Sequence, residues 1–196
     1  MKKKLAMVLE SLSGFKNPKI ELEQYVTPPS LASEIIINAK LMGDLDFVVD
    51  LGCGTGILAI ASAMLNAKAI GFDIDPDALK IAKENAKKVG VHVEFVLSRV
   101  EDVVLKRRVT VIMNPPFGIQ KRHADRPFLF KAMEIGNVIY TIHSAGSERF
   151  IRKTCDDFGF EITHMWKYKI PLKKTYSFHE KEFKWIAVEV YRLERW

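Results

Sequence analysis

The stretch Phe47-Val48-Val49-Asp50-Leu51-Gly52-Cys53-Gly54-Thr55-Gly56 reads as a strand, 47–51, that turns on three glycines into a helix over 56–65. Glycines in such a turn permit positive φ and let a ligand come close to the backbone. Outward from it the rhythm continues, with a strand at 68–74, a helix at 76–89 and a strand at 91–97. That βαβαβ order implies a parallel sheet with helices on its faces. Asp73 closes the second strand nineteen positions past Gly54, where a carboxylate can accept hydrogen bonds from ribose hydroxyls. An adenosine-type ligand fits both features. The Gly-x-Gly-x-Gly spacing is one residue shorter than the dinucleotide fingerprint and leaves no third glycine to cradle a pyrophosphate, which disfavours NAD.

The second half repeats the pattern, with strands at 109–113 and 137–143 and helices at 127–135 and 147–158. Two long strands follow, 160–170 and 183–191, with no helical stretch between them. A short connection cannot make a parallel crossover, so this pair is expected to run antiparallel at one edge. At the other end, Leu5, Val8, Leu9 and Leu12 mark an amphipathic helix over 2–13 that stops near Gly14. A loop then leads through Leu22-Glu23-Gln24-Tyr25-Val26-Thr27-Pro28-Pro29 into a helix carrying Leu31, Ile35 and Ile36. The expected organisation is one domain over 1–196, an N-terminal helical appendage and covering loop at 1–40 preceding a catalytic sheet at 44–196.

With 196 residues, 48% hydrophobic and 28% charged, the chain has the balance of a soluble globular domain, and global disorder is excluded. No apolar run approaches the roughly 18 residues that span a bilayer. The start, Met1-Lys2-Lys3-Lys4-Leu5, runs on to Glu10 and Ser11 without a signal-peptide apolar region. A cytoplasmic protein with no membrane partner is expected. Cys53 and Cys155 are too few for a disulfide framework or a zinc site, so reduced thiols and no bound metal are expected. Thirty Lys and Arg against 24 Asp and Glu leave a net charge of +6, which favours a polyanionic partner such as nucleic acid.

The Asp-x-Gly-x-Gly-x-Gly run resembles motif I of class I S-adenosylmethionine-dependent methyltransferases. The resemblance implies a Rossmann-like α/β fold: a seven-stranded, mostly parallel sheet with an antiparallel last strand and helices on both faces. It also implies S-adenosylmethionine as cofactor, held by Asp50, Gly52, Cys53, Gly54, Gly56 and Asp73. Cys53 is expected there as a small filler beside the turn, since no histidine is near in sequence to activate it.

The fourth strand ends in Met113-Asn114-Pro115-Pro116-Phe117-Gly118, at the carboxyl edge where doubly wound sheets bind ligands. This resembles the Asn-Pro-Pro-aromatic motif of methyltransferases that modify planar amide or amine nitrogens: adenine N6, guanine N2 and glutamine side chains. The residue types suit that chemistry. An exocyclic amine is a poor nucleophile because its lone pair is delocalised, and methyl transfer builds positive charge on the nitrogen. Two fixed acceptors, the Asn114 side-chain oxygen and the Pro115 carbonyl, would stabilise that charge. Pro115 and Pro116 restrict φ and remove competing donors, and Phe117 offers a face for stacking a base.

Over nearly the whole chain the sequence is similar to the archaeal and eukaryotic methyltransferases that modify adenosine N6 in small-subunit ribosomal RNA. The supporting stretches are Gly14-Phe15 with Pro18-Lys19, Leu22–Tyr25, Asp50–Gly56, Gly71–Asp75, Val111–Gly118 and Tyr176-Ser177-Phe178-His179. The resemblance implies that the Glu-Gln-Tyr-x-Thr loop brings Gln24 and Thr27 to the cofactor, with Val26 standing where proline is expected. Arg99 and Val100 fall at the cofactor's adenine end, where many members carry an acid that binds the adenine amine. Arginine cannot accept that bond. Either Glu101 or Asp102 substitutes, or backbone and apolar side chains hold the ring.

Lys121, Arg122 and Arg126 form a basic lip after the reacting loop, suited to phosphates. Lys173, Lys174, Tyr176 and Phe178 add cations interleaved with aromatics, a composition suited to RNA. Ribosomal RNA is thus the expected substrate. The family also implies a small zinc-containing activator protein that extends the sheet, with 68–74 and 91–97 as candidate docking strands. Three alternatives stay open: a protein glutamine-N5 methyltransferase, a DNA adenine-N6 methyltransferase, or a non-catalytic RNA-binding scaffold.

Overall fold

The structure is a computed structural model that describes residues 1–173 and 183–196. Its elements are α1 (Lys2–Glu10), α2 (Pro29–Leu41), β1 (Phe47–Leu51), α3 (Ile57–Met64), β2 (Lys68–Asp73), α4 (Pro76–Val89) and β3 (Glu94–Leu97). After these come β4 (Val109–Met113), α5 (Arg126–Ile135), β5 (Gly136–Ser144), α6 (Glu148–Phe158), β6 (Phe160–Lys173) and β7 (Phe183–Arg195). Among the described residues the strands form one seven-stranded sheet in the order β3-β2-β1-β4-β5-β7-β6. The first five strands are parallel, and β7 runs antiparallel to both β5 and β6. The expected fold is the one observed.

Two apolar clusters cover the two faces, as the alternation of each strand dictates. Val48 and Ile112 point to the face covered by α1, α2 and α3. Val49, Leu51, Val111 and Met113 point to the face covered by α5 and α6. The central strands are therefore apolar on both sides, the signature of a buried parallel sheet.

Several element boundaries differ from those expected, most by one residue, and β6 runs to Lys173 rather than 170; three further differences go with contacts to distant residues. The first helix ends at Glu10 rather than 13. Buried Asn85 of α4 accepts from the Ser13 N–H at 2.8 Å and donates to the Ser13 carbonyl at 2.9 Å, replacing the helical ladder there. The last strand runs to Arg195 rather than 191 because Arg192, only 6% exposed, is compensated. Its guanidinium grips both oxygens of Asp44, at 2.8 and 3.1 Å. The third strand begins at Glu94 rather than 91, where its pairing with β2 begins at Ile70.

The topology positions the site. β1 is flanked by β2 on one side and β4 on the other, so the chain order reverses between β1 and β4. Doubly wound sheets bind ligands in the crevice beyond the strand ends at such a point. Asp50 is in register with Ile112, and Leu51 with Phe72. Two residues further on, Gly52 therefore comes level with Asn114, and Asp73 stands beside them.

Candidate active site

Beyond the carboxyl ends of β1, β2 and β4 lies a cavity of about 370 Å³. Its floor is the turn 50–55, its sides are Asp73 and Ile74, residues 98–101, Asn114 and Pro116, and its roof is 21–27 with residues from 121–128.

The glycine turn is built as the sequence requires, but for a partly different reason. Gly52 and Gly54 have φ of 71° and 52°. A Cβ on Gly52 would lie 2.8 Å from the Phe128 ring, and one on Gly54 would lie 2.7 Å from the Phe15 ring. Aromatic rings from two distant segments thus use the space the missing side chains leave. Gly56, expected at the cofactor, does not line the cavity. It opens α3 at φ 88° and is packed against Phe95 and Ala82. Cys53 lines the cavity, with its buried side chain against Gly71; burial pushes its thiol pKa well up, leaving it an inert filler.

Two acids tie the turn down. Asp73 accepts from the Gly54 N–H at 2.7 Å and from the Asp75 N–H at 2.8 Å, so it locks the turn to the start of α4. Burial raises its pKa. Asp50, 1% exposed, accepts from the Ala59 N–H of α3 at 3.0 Å, and burial pushes its carboxyl to about 8.

The roof is held by a relay of polar contacts. Gln24 accepts from the Lys19 N–H at 2.7 Å and donates to Asp75 at 2.6 Å. Burial raises the Asp75 pKa, but the Lys19 ammonium at 2.6 Å and the Gln24 amide outweigh it and hold the carboxyl below its ordinary value. Gln24 lines the cavity with both ends of its amide spent on this closure. Thr27, buried, accepts from the Asn114 amide nitrogen at 3.0 Å.

That last contact fixes the Asn114 side chain. Held through its nitrogen, Asn114 leaves its Oδ1 buried and without a partner. Among the described residues only one other buried side-chain nitrogen or oxygen lacks a partner, Oε2 of Glu23. Glu23 lines the same cavity, and its Oε1 accepts from the Gln120 N–H at 2.8 Å. Folded proteins leave few such groups, so two in one cavity mark a place where a ligand supplies the donors.

The remaining expected residues fall into three groups. Arg99, Val100 and Lys121 line the cavity, with Arg99 and Glu101 forming an exposed ion pair at 3.6 Å. Pro115, Phe117, Arg122 and Arg126 do not line it. Pro115 is buried in the turn, and the half-buried Phe117 ring packs against the core under α1–α3. Arg122 is exposed, and the Arg126 guanidinium lies over the Phe150 ring at 5.3 Å. Lys174, Tyr176 and Phe178 lie outside the described residues, as does the side chain of Lys173.

His143, 2% exposed, is a hydrogen-bonded core residue, with Nε2 at 2.8 Å from Thr141 and Nδ1 at 3.4 Å from Asp125 ahead of α5. Glu23, Phe15 and Phe128 line the cavity without a role assigned from sequence. The only sequence signal for the first two was their place in Leu22–Tyr25 and Gly14-Phe15.

Known proteins share this architecture. A family model described as ribosomal protein L11 methyltransferase (PrmA) matches residues 35–114, from α2 to Asn114. An uncharacterised protein of Methanocaldococcus jannaschii is 45% identical, over 99% of this chain and 94% of its own length. A solved structure from Pyrococcus horikoshii is 42% identical and superposes with a TM-score of 0.91, covering 99% of this chain and 97% of the other. The zebrafish rRNA N(6)-adenosine-methyltransferase METTL5 is 34% identical over 97% of each chain. Through this end-to-end similarity to METTL5, the chain belongs to the family of rRNA N6-adenosine methyltransferases.

Proposed function

We propose that this chain transfers a methyl group from S-adenosylmethionine to N6 of an adenosine in RNA, with small-subunit ribosomal RNA as substrate. The observation that carries the reading is the Asn114 amide. Its nitrogen is held by Thr27, and its oxygen is buried without a partner level with the glycine turn. The residues around the turn fit the donor: a glycine-rich backbone, Asp73 for ribose hydroxyls, and unpartnered acceptors facing one cavity. S-adenosylmethionine, when bound, supplies an electrophilic methyl group on a sulfonium.

The chain's own task is to make a weak amine nucleophilic. Asn114 Oδ1 accepts an N–H of the adenine amino group, so charge that develops on nitrogen meets a fixed oxygen. This acceptor need not take a proton, and Thr27 spares Asn114 any reorientation during the reaction. A stacked adenine must leave its helix to reach Asn114, at an unstacking cost of a few kcal/mol, so the reading favours an unpaired target.

The test is tritium transfer from S-adenosylmethionine to ribosomal RNA, followed by digestion to nucleosides. N6-methyladenosine is the expected product. Label on the glutamine of a release factor or on duplex DNA instead, or no transfer at all, would overturn the reading.

The partner in this reading is a small zinc-containing activator protein that adds to the sheet. Of the two candidate strands, β2 is interior and β3 is an outer edge, which favours β3 for docking. Its support is the open ladder of β3 with Val96 and Leu97 exposed, beside exposed Ile74 and Val104. Gel filtration of the co-expressed pair should give a stable heterodimer. A fully active monomer with no gain from the activator would remove the partner.

A further inference from the structure

We propose that Glu23 forms a subsite for a primary ammonium group and holds the α-ammonium of the methyl donor's amino-acid end. The inference rests on reading this cavity as the donor's site. Glu23 is 6% exposed and lines the cavity. Its Oε1 is fixed by the Gln120 N–H at 2.8 Å, so the side chain cannot swing away to find water, and its Oε2 has no partner.

The backbone is committed as well. Glu23 stands in the left-handed region at φ 49°, closing the turn Ile20–Leu22 through its N–H to the Ile20 carbonyl at 2.9 Å. Non-glycine residues in that region are uncommon, and where they persist the surroundings impose the conformation.

Four other acceptors on the cavity wall have partners. Both oxygens of Asp73 take backbone N–H groups, Asp50 takes the Ala59 N–H, Gln24 takes the Lys19 N–H, and Thr27 takes the Asn114 amide. Among the described residues, the buried side-chain oxygens without any partner are one neutral amide oxygen and one carboxyl oxygen. A neutral aryl amine matches the first. An ammonium, with three donors and a full charge, matches the second, because charge-assisted hydrogen bonds are the stronger kind. The ring nitrogens of adenine are acceptors and cannot satisfy a carboxylate, and in the proposed reaction its amino group is taken by Asn114, so Glu23 is assigned to the donor rather than to the target base.

The experiment is calorimetry of the full chain and a Glu23→Gln variant with two nucleosides. S-adenosylhomocysteine carries the ammonium; 5′-methylthioadenosine lacks the whole amino-acid end. Gln keeps an oxygen for the Gln120 N–H and removes the charge. Glu23→Gln should weaken S-adenosylhomocysteine by about 10- to 100-fold and leave 5′-methylthioadenosine within about twofold. Glu23→Asp, which keeps the charge but draws it back by one methylene, should lose less, again only for the ammonium-bearing ligand. Equal losses for both nucleosides, or none for either, would overturn the subsite. Failure of the unsubstituted chain to bind either nucleoside would instead overturn the donor-site reading on which it rests.

Discussion

The glycine turn after β1 and the Asn-Pro-Pro segment after β4 face each other across one cavity, yet their polar groups are satisfied to different degrees. Around the turn, Asp50, Asp73 and Asp75 each accept hydrogen bonds from backbone or side chains. Around Asn114 and the loop above it, two buried oxygens have none. The first region is a finished scaffold whose geometry owes nothing to a ligand. The second is a half-made network that costs free energy until donors arrive. Donor affinity should therefore depend on the glycine turn and on Glu23, and turnover on Asn114.

Substitutions on the two sides test that division. The largest effect is expected at Asn114→Ala, which should lower the single-turnover rate by about 100- to 1000-fold while donor affinity stays within a few fold, since the lost contact strengthens in the transition state. A rate near that of the unsubstituted enzyme would show that another group receives the amine. Asp73→Ala should act the opposite way. It unties the Gly54 and Asp75 N–H groups and removes the acceptor proposed for the ribose hydroxyls, so calorimetry should show donor affinity falling by about 10- to 100-fold. Thr27→Val keeps the shape and removes the acceptor that aims Asn114; a loss of about five- to tenfold in rate with little change in donor affinity is expected. A change in affinity alone would place Thr27 with the turn.

The smallest effect concerns stability. The Asp50 carboxyl sits at about 8 in the folded protein against 3.8 for an ordinary aspartate, so the folded state holds a proton that the unfolded state has released. Its stabilising contribution is whole below about pH 4 and is lost as pH rises through 8. Asn cannot titrate. Thermal melts of Asp50→Asn against the unsubstituted protein should therefore diverge in favour of Asn between pH 5 and pH 9, by several degrees. A constant gap across that range would contradict a raised Asp50.

These regions also differ in how much of them the sequence displayed. The turn was legible because its elements are local: an apolar strand, three glycines and a helix in one run, with Asp73 one strand away. Asn114 was legible because Pro115 and Pro116 make the backbone there unlike an ordinary strand end. Side-chain direction was not. The prolines restrict φ in that segment but do not decide whether the Phe117 ring turns to the cavity or, as it does, to the core. Glu23 was hidden for another reason: its partner, the Gln120 N–H, is 97 residues away, and no periodicity records a hydrogen bond between two loops. The extension of β7 through Arg192 depends in the same way on Asp44, 148 residues distant. Local chemistry was readable; pairings between remote loops required the fold.

A crystal structure with S-adenosylhomocysteine and an adenosine-containing RNA fragment tests the central claim most directly. The account predicts the donor product against the Gly52–Gly54 turn and the adenine amino nitrogen about 2.9 Å from Asn114 Oδ1, with the Thr27 contact intact. An adenine bound elsewhere, or Asn114 Oδ1 turned away from it, would contradict the account.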